Sequence, residues 1–348
     1  MVPPSDADLR SLPKVELHVH VEGSISAATA LSLARRYRVD PRELGLVEGR
    51  YPDRFDNLAH FIRVYLAVSR LIRTPDDLAM IFAAFARQQV SQGVLYTEAT
   101  FTAMAHVRNG MEPVALWAAV RDGLADIDSG TEIRLIIDAQ RDLGSDDARD
   151  NVRLVENADA PIVGLGLSGP EGEEKDREFV VLRQAADRLH LGLAVHAGEE
   201  GPPAQVRAAL DDLGADRIAH GVAAAKAPDL IERLKRDAVP LDMCLSSNVG
   251  IGIFPSLEAH PFADLWRAGL NVNLSSDDPP FLSTTLIDEL RHAARLASLS
   301  RADLADLQRR AALAAFAPAD TRGRLVAAID AWMDRHRSCD GEARPSQA

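Results

Sequence analysis

The sequence predicts an α/β protein folded as a single (β/α)8 barrel, and three observations carry that prediction. Eight short apolar runs recur along the chain, long helical patterns separate them, and one barrel of roughly 250 residues plus insertions would use the 348 residues fully. The runs are Lys14–His20, Gly93–Phe101, Glu132–Asp138, Pro161–Leu167, Leu191–His196, Arg217–His220, Val239–Leu245 and Leu270–Ser275. Most are apolar throughout, as expected of strands covered on both faces. Strands alternating with helices argue for a parallel sheet, and eight of them favour a closed barrel over an open one.

The connections support the same reading. The gap from His20 to Gly93 is too long for one crossover helix and is expected to hold two or three, some covering the barrel mouth. Thr74-Pro75-Asp76-Asp77 combines an N-cap, a proline at the first helical position and two acids in the first turn. Leu78, Ile81, Phe82 and Phe85 then mark one helical face, as do Leu58, Phe61, Ile62, Tyr65 and Leu66, and both stripes are expected in the core. Arg35-Arg36-Tyr37-Arg38 reads as a helix end, where cations suit the dipole. Ser300 with Asp303 forms a capping-box pattern before Leu304 and Leu307. Neither linker nor repeat interrupts the chain, so residues 1–336 are expected to form one domain, followed by a polar, disordered tail over 337–348.

Composition narrows the function. A formal charge of −13 disfavours a polyanionic partner such as nucleic acid. No run approaches the ~20 apolar residues of a membrane helix, and residues 1–13 do not read as a signal peptide. The two cysteines, Cys244 and Cys339, form no disulfide framework, which suits a reducing cytoplasm. A small-molecule substrate is expected, and the oligomeric state stays open.

The chemistry is concentrated at strand ends. His18 and His20 close the first run, two residues apart and so on one face of a strand. His196 ends the fifth run ahead of Ala197-Gly198-Glu199, His220 ends the sixth, and Asp277 and Asp278 follow the eighth. Barrel enzymes build their sites at the C-terminal ends of strands. A lone buried histidine is usually a hydrogen-bonded core residue, but three at strand ends beside an acidic pair point to a metal. Three imidazole nitrogens and a carboxylate oxygen suit one zinc ion, which would lower the pKa of a water towards ~7. His220, Glu199 and Asp278 remain as titratable groups for proton transfer. That inventory fits hydrolytic replacement of an amine on an electron-poor ring carbon.

At these residues the chain resembles the adenosine deaminase family. The segments that carry the resemblance are Leu12–His20 with Gly23-Ser24-Ile25, Gly166–Glu171, His196–Glu199, Arg217–Gly221, Ser247-Asn248-Val249 and Ser276–Pro279. They follow the family order across nearly the whole chain. The resemblance implies that His18, His20, His196 and Asp277 hold the zinc. It implies that Glu199 protonates the purine ring nitrogen beside the attacked carbon and that His220 takes the water proton. Asp278 would orient the water and accept from the five-membered-ring side of the base, Gly169 would offer its N–H to the ring, and Glu22 would contact the sugar. Gly169 equally permits a turn of positive φ, and Glu171 reads equally as a solvated loop acid. His106, His190, His260 and His292 match no ligand motif and read as structural or exposed.

Two positions depart from the family's nucleoside pattern: Glu22 stands where an aspartate is typical, and Pro170 interrupts the common Gly-Asp-Glu. The expected activity is deamination of adenosine or 2′-deoxyadenosine. The alternatives are aminodeoxyfutalosine or adenine, and then a barrel amidohydrolase cleaving an amide or ester. That last class often bridges two metals with a carboxylated lysine at the end of strand four, where this chain has none before Lys175.

Overall fold

The computed structural model describes residues 4–125, 130–172 and 176–341, with side chains to residue 336. Lys175, the side chain of Cys339 and residues 342–348 of the expected tail lie outside them. The eight runs form strands β1 Lys14–His20, β2 Val94–Phe101, β3 Glu132–Gln140, β4 Ile162–Ser168, β5 Gly192–Ala197, β6 Arg217–His220, β7 Leu241–Met243 and β8 Val272–Leu274. They pair in parallel in chain order, the arrangement of a TIM barrel.

The His20–Gly93 interval holds three α-helices, Ala27–Tyr37, Leu58–Ser69 and Pro75–Ser91. Each starts on a side-chain cap, from Ser26, Asn57 and Thr74, and Thr74 completes a capping box with Asp77. Ser300 and Asp303 do the same for Arg301–Ala314. The arginine cluster ends the first of these helices, with Arg38 in the left-handed region at φ +55°. The last helix runs Ala319–Gly341, past the point where the tail was expected to begin. Among the described residues no helix is long and apolar enough to cross a membrane.

The seam between β8 and β1 positions the chemistry. Strand β8 is short, and the chain beyond it completes the barrel with single contacts. Ser275 Oγ accepts from the N–H groups of both Leu17 (3.3 Å) and His18 (3.1 Å). Asp277 then exchanges both backbone bonds across Val19, donating to His18 O at 3.1 Å and accepting from His20 N at 2.8 Å. A β-bulge accompanies this: Glu16 pairs Thr97 and Val19 pairs Ala99, so three steps on β1 match two on β2. Bulges re-aim side chains beside active sites.

The opposite end of the barrel is plugged. Phe316 lies against Gly164 and Gly192, where a Cβ on Gly192 would fall 2.3 Å from its ring. Arg217 stacks over that ring at 4.2 Å and is held by Glu98 (2.7 Å) and Asp242 (2.6 Å), all three fully buried. One end is therefore closed, and the loops beyond the strand C-termini surround the open one.

Candidate active site

The β8–β1 seam brings three of the expected ligands to one point. Asp277 Oδ1 lies 3.2 Å from His18 Nε2 and 3.3 Å from His20 Nε2. His196, at the end of β5, brings its ring to 4.6 Å from that of His18, centre to centre. One donor atom from each of His18, His20, His196 and Asp277 lies within 4.8 Å of the others. Two of these atoms, His18 Nε2 and Asp277 Oδ1, are buried with no hydrogen-bond partner among the described residues, although buried polar atoms ordinarily have one. Two outer atoms are contacted from outside the cluster: Ser247 donates to Asp277 Oδ2 at 2.7 Å, and the buried Cys244 thiol lies 3.8 Å from His18 Nδ1. Such outer contacts orient metal ligands. Burial would lower the pKa of His20, but Asp278, Asp277 and Asp138 together push it up to about 10. A pocket this rich in carboxylates and unpartnered donor atoms suits a cation, and the N3O set suits zinc.

The other expected residues surround this cluster. Glu22, Gly169, His196, Glu199, His220, Asp277 and Asp278 line one cavity of about 420 Å³ with His20, while the buried His18 is not part of its lining. Gly23 makes room for Asp278, because a Cβ there would fall 1.7 Å from Asp278 Oδ1. Gly169 has φ +91°, so the turn does need glycine. His220 and Asp277 adopt φ +63° and +61°, a strained conformation that costs a non-glycine residue about 1–3 kcal/mol and is concentrated at functional sites.

Glu199 is held on two sides. Glu171 accepts from the backbone N–H groups of Gly198 (2.5 Å), Glu199 (2.7 Å) and Glu200 (3.3 Å), so it clamps the loop after β5. It is thus no freely solvated loop acid. Asn248 donates to Glu199 Oε1 at 3.3 Å. Burial, reinforced by Asp277, Glu171, Glu200 and Asp278, raises the proton affinity of the Glu199 carboxyl well above that of an ordinary carboxylate.

A hydrogen-bond chain sets the state of His220. The Phe262 N–H donates to His260 Nδ1 (3.1 Å), which puts the His260 proton on Nε2, facing Asn248 Oδ1 at 3.1 Å. The Asn248 amide then donates to His220 Nδ1 at 3.3 Å. With Nδ1 accepting, the neutral ring carries its proton on Nε2. That atom lies 3.5 Å from Glu199 Oε1 and 3.9 Å from Asp277 Oδ2. Burial drives the His220 pKa down to about 3, which keeps the ring neutral.

Several contributors were invisible or misjudged in the sequence. Leu58, Phe61, Ile62, Tyr65 and Leu66 were expected in the core; Phe61 is buried there with Leu58, Ile62 and Tyr65 packed against it, but all five also line the cavity, because their helix lies over the barrel mouth. His106 is structural in its partner yet belongs to the site: its Nε2 lies 3.0 Å from Glu22 Oε1. His260 is buried in the relay described above, while His190 is exposed and His292 half-buried. Asn248 stood in a quoted motif without a role. Asp138 ends up in the cavity wall, with the Ser168 hydroxyl donating to its Oδ2.

A parallel barrel with three imidazoles and one carboxylate gathered beyond its strand ends defines a barrel hydrolase with a candidate metal centre. The adenosine deaminase family model matches residues 13–332, and the chain belongs to that family. It is 35% identical over 339 residues to an aminodeoxyfutalosine deaminase of Streptomyces avermitilis, covering 93% of each chain. It is 34% identical over 322 residues to an adenine deaminase of Chelativorans sp., covering 91% of this chain and 98% of that one. The crystal structure of an adenine deaminase from Arthrobacter aurescens superposes with a TM-score of 0.83 at 27% identity, over 93% of this chain and 99% of that one.

Proposed function

We propose that this protein is a zinc-dependent aminohydrolase that replaces the 6-amino group of a purine with oxygen and releases ammonia. The observation that carries the reading is the three-histidine, one-aspartate cluster with Glu199, a buried carboxyl of raised proton affinity, on the cavity wall beside it. Such a group has one obvious use, donation of its proton to a ring nitrogen so that the adjacent carbon accepts a nucleophile. A zinc ion held by His18, His20, His196 and Asp277 would lower the pKa of a water enough to supply that nucleophile at neutral pH.

The chain's own residues then divide the proton traffic. Glu199 gives its proton to the ring. His220 presents Nε2–H to the attacking oxygen and acts first as a hydrogen-bond donor. This departs from the role expected of it as the base, because the relay through Asn248 and His260 occupies Nδ1. Asp278, held beside the cluster with Oδ1 unpartnered, is left to accept the proton from water and hand it to the departing amine, which leaves as ammonia, while the proton of the hydroxyl left on the carbon restores Glu199. Gly169, at the turn after β4, offers its backbone N–H to the purine.

Similarity to aminodeoxyfutalosine and adenine deaminases favours those two substrates over adenosine or 2′-deoxyadenosine. Between them the cavity's length favours a purine bearing a large substituent, since it extends past Glu22 to Arg70, Arg108 and the exposed Leu143. A buried free thiol at Cys244 suits the reducing cytoplasm as its place of work. Ammonia release by the zinc-loaded protein, measured on aminodeoxyfutalosine, adenine, adenosine and 2′-deoxyadenosine, tests the reading. Turnover of aminodeoxyfutalosine or adenine is expected to lead, and silence on all four would overturn it.

A further inference from the structure

Two carboxylates on the cavity wall outside the ligand cluster, Glu22 and Asp138, are not equivalent. Glu22, the expected sugar contact, is already committed to the protein. Its Oε1 accepts from Thr102 N at 3.2 Å and faces His106 Nε2 at 3.0 Å, while Oε2 faces the Tyr65 hydroxyl at 3.5 Å. Asp138 is different. It stands at the end of β3 and is 1% exposed. Ser168 satisfies Oδ2, and Oδ1 has no partner. Its register partner Gly166 keeps the space beside Oδ1 clear, because a Cβ there would fall 2.7 Å from that oxygen. Burial pushes the Asp138 carboxyl up to about 6.

An acid kept in this state is expensive unless something completes it. Among the described residues no protein donor does, and its neighbours Gln140, Ser168 and Gly169 all line the same cavity. We propose that Asp138, and not Glu22, is the residue that reads the substrate at its five-membered-ring end, by accepting a hydrogen bond from a donor there. Two donors have the right chemistry: the ring N–H of a free 6-aminopurine base, and a hydroxyl of the sugar on a nucleoside. Glu22 then acts as a brace that fixes His106 and the helix over the mouth. The inference rests on the deaminase reading above.

The test is the zinc-loaded full chain with Asp138→Asn and Asp138→Ala, assayed for kcat and KM. The substrates are adenine, 9-methyladenine, adenosine, 2′-deoxyadenosine, 5′-deoxyadenosine and aminodeoxyfutalosine. Asp138→Asn preserves the shape and can still accept from Ser168, so it serves if the alanine variant folds poorly. A loss of about ten- to hundredfold in kcat/KM, carried by KM, is expected for substrates that bear the donor. If the donor is the ring N–H, adenine loses and 9-methyladenine does not. If it is a hydroxyl, adenosine loses and the deoxy analogue lacking that hydroxyl does not. An equal loss on every substrate, 9-methyladenine included, overturns the proposal and makes Asp138 structural. Failure of the wild type on the whole panel sinks the deaminase reading instead, so the two failures are separable.

Discussion

Glu199→Gln isolates the proposed acid from everything else in the site. The amide keeps the shape of the side chain. It can still accept from Asn248, now 3.3 Å away, and the loop stays clamped because Glu171 binds backbone N–H groups and not the Glu199 side chain. Glu199 is not among the four clustered ligands, so zinc content should stay at one per chain. Only the proton on the carboxyl is lost. A positioned general acid contributes about 10²–10⁴-fold, so kcat should fall by that factor while KM changes little. The assay is ammonia release at saturating substrate, run beside a metal analysis of the same sample. Turnover close to wild type would refute the role of Glu199 as the acid. A loss that tracks loss of zinc would refute the assignment of ligands.

The same substitution has a signature in stability. The carboxyl's folded pKa lies well above its unfolded value, so its contribution is present below the unfolded pKa and is lost as pH rises through the folded one. Glu199→Gln should therefore raise Tm relative to wild type more at pH 8 than at pH 5, by thermal melts across that range. Glu171→Ala leaves three backbone donors without their acceptor. It should destabilise the chain by about 1.5–3 kcal/mol, the value of a charged hydrogen bond, and lower kcat with zinc retained, as denaturant melts and metal analysis would show. Gly23→Ala should nearly abolish activity by displacing Asp278 while circular dichroism stays native. Glu22→Asp should slow all substrates by a similar factor, because the shorter side chain releases Thr102 and His106; a change confined to nucleosides would show that Glu22 reads the sugar after all.

Much of the molecule was legible from local pattern. The eight strand runs and the caps at Thr74 and Ser300 could be read because they follow from side-chain type at fixed spacing. The metal-type residues stood out for the same reason: histidines and acids at the ends of apolar runs are costly there, so their positions alone mark a site. The stripe from Leu58 to Leu66 shows the limit. Its period announced a helix with one apolar face, but period says nothing about whether that face meets the core or roofs a cavity.

The sequence alone pointed to the barrel, a candidate ligand set and the class of chemistry, since each rests on residue identity and short-range periodicity. Tertiary structure decided how those groups act. The Ser275 and Asp277 seam that aims His18 and His20, the His260–Asn248 relay that loads His220 on Nε2, and the contrast between a braced Glu22 and an open Asp138 all join residues far apart in the chain. Proton positions and free lone pairs are properties of a network of contacts, and such a network exists only once the chain has closed on itself.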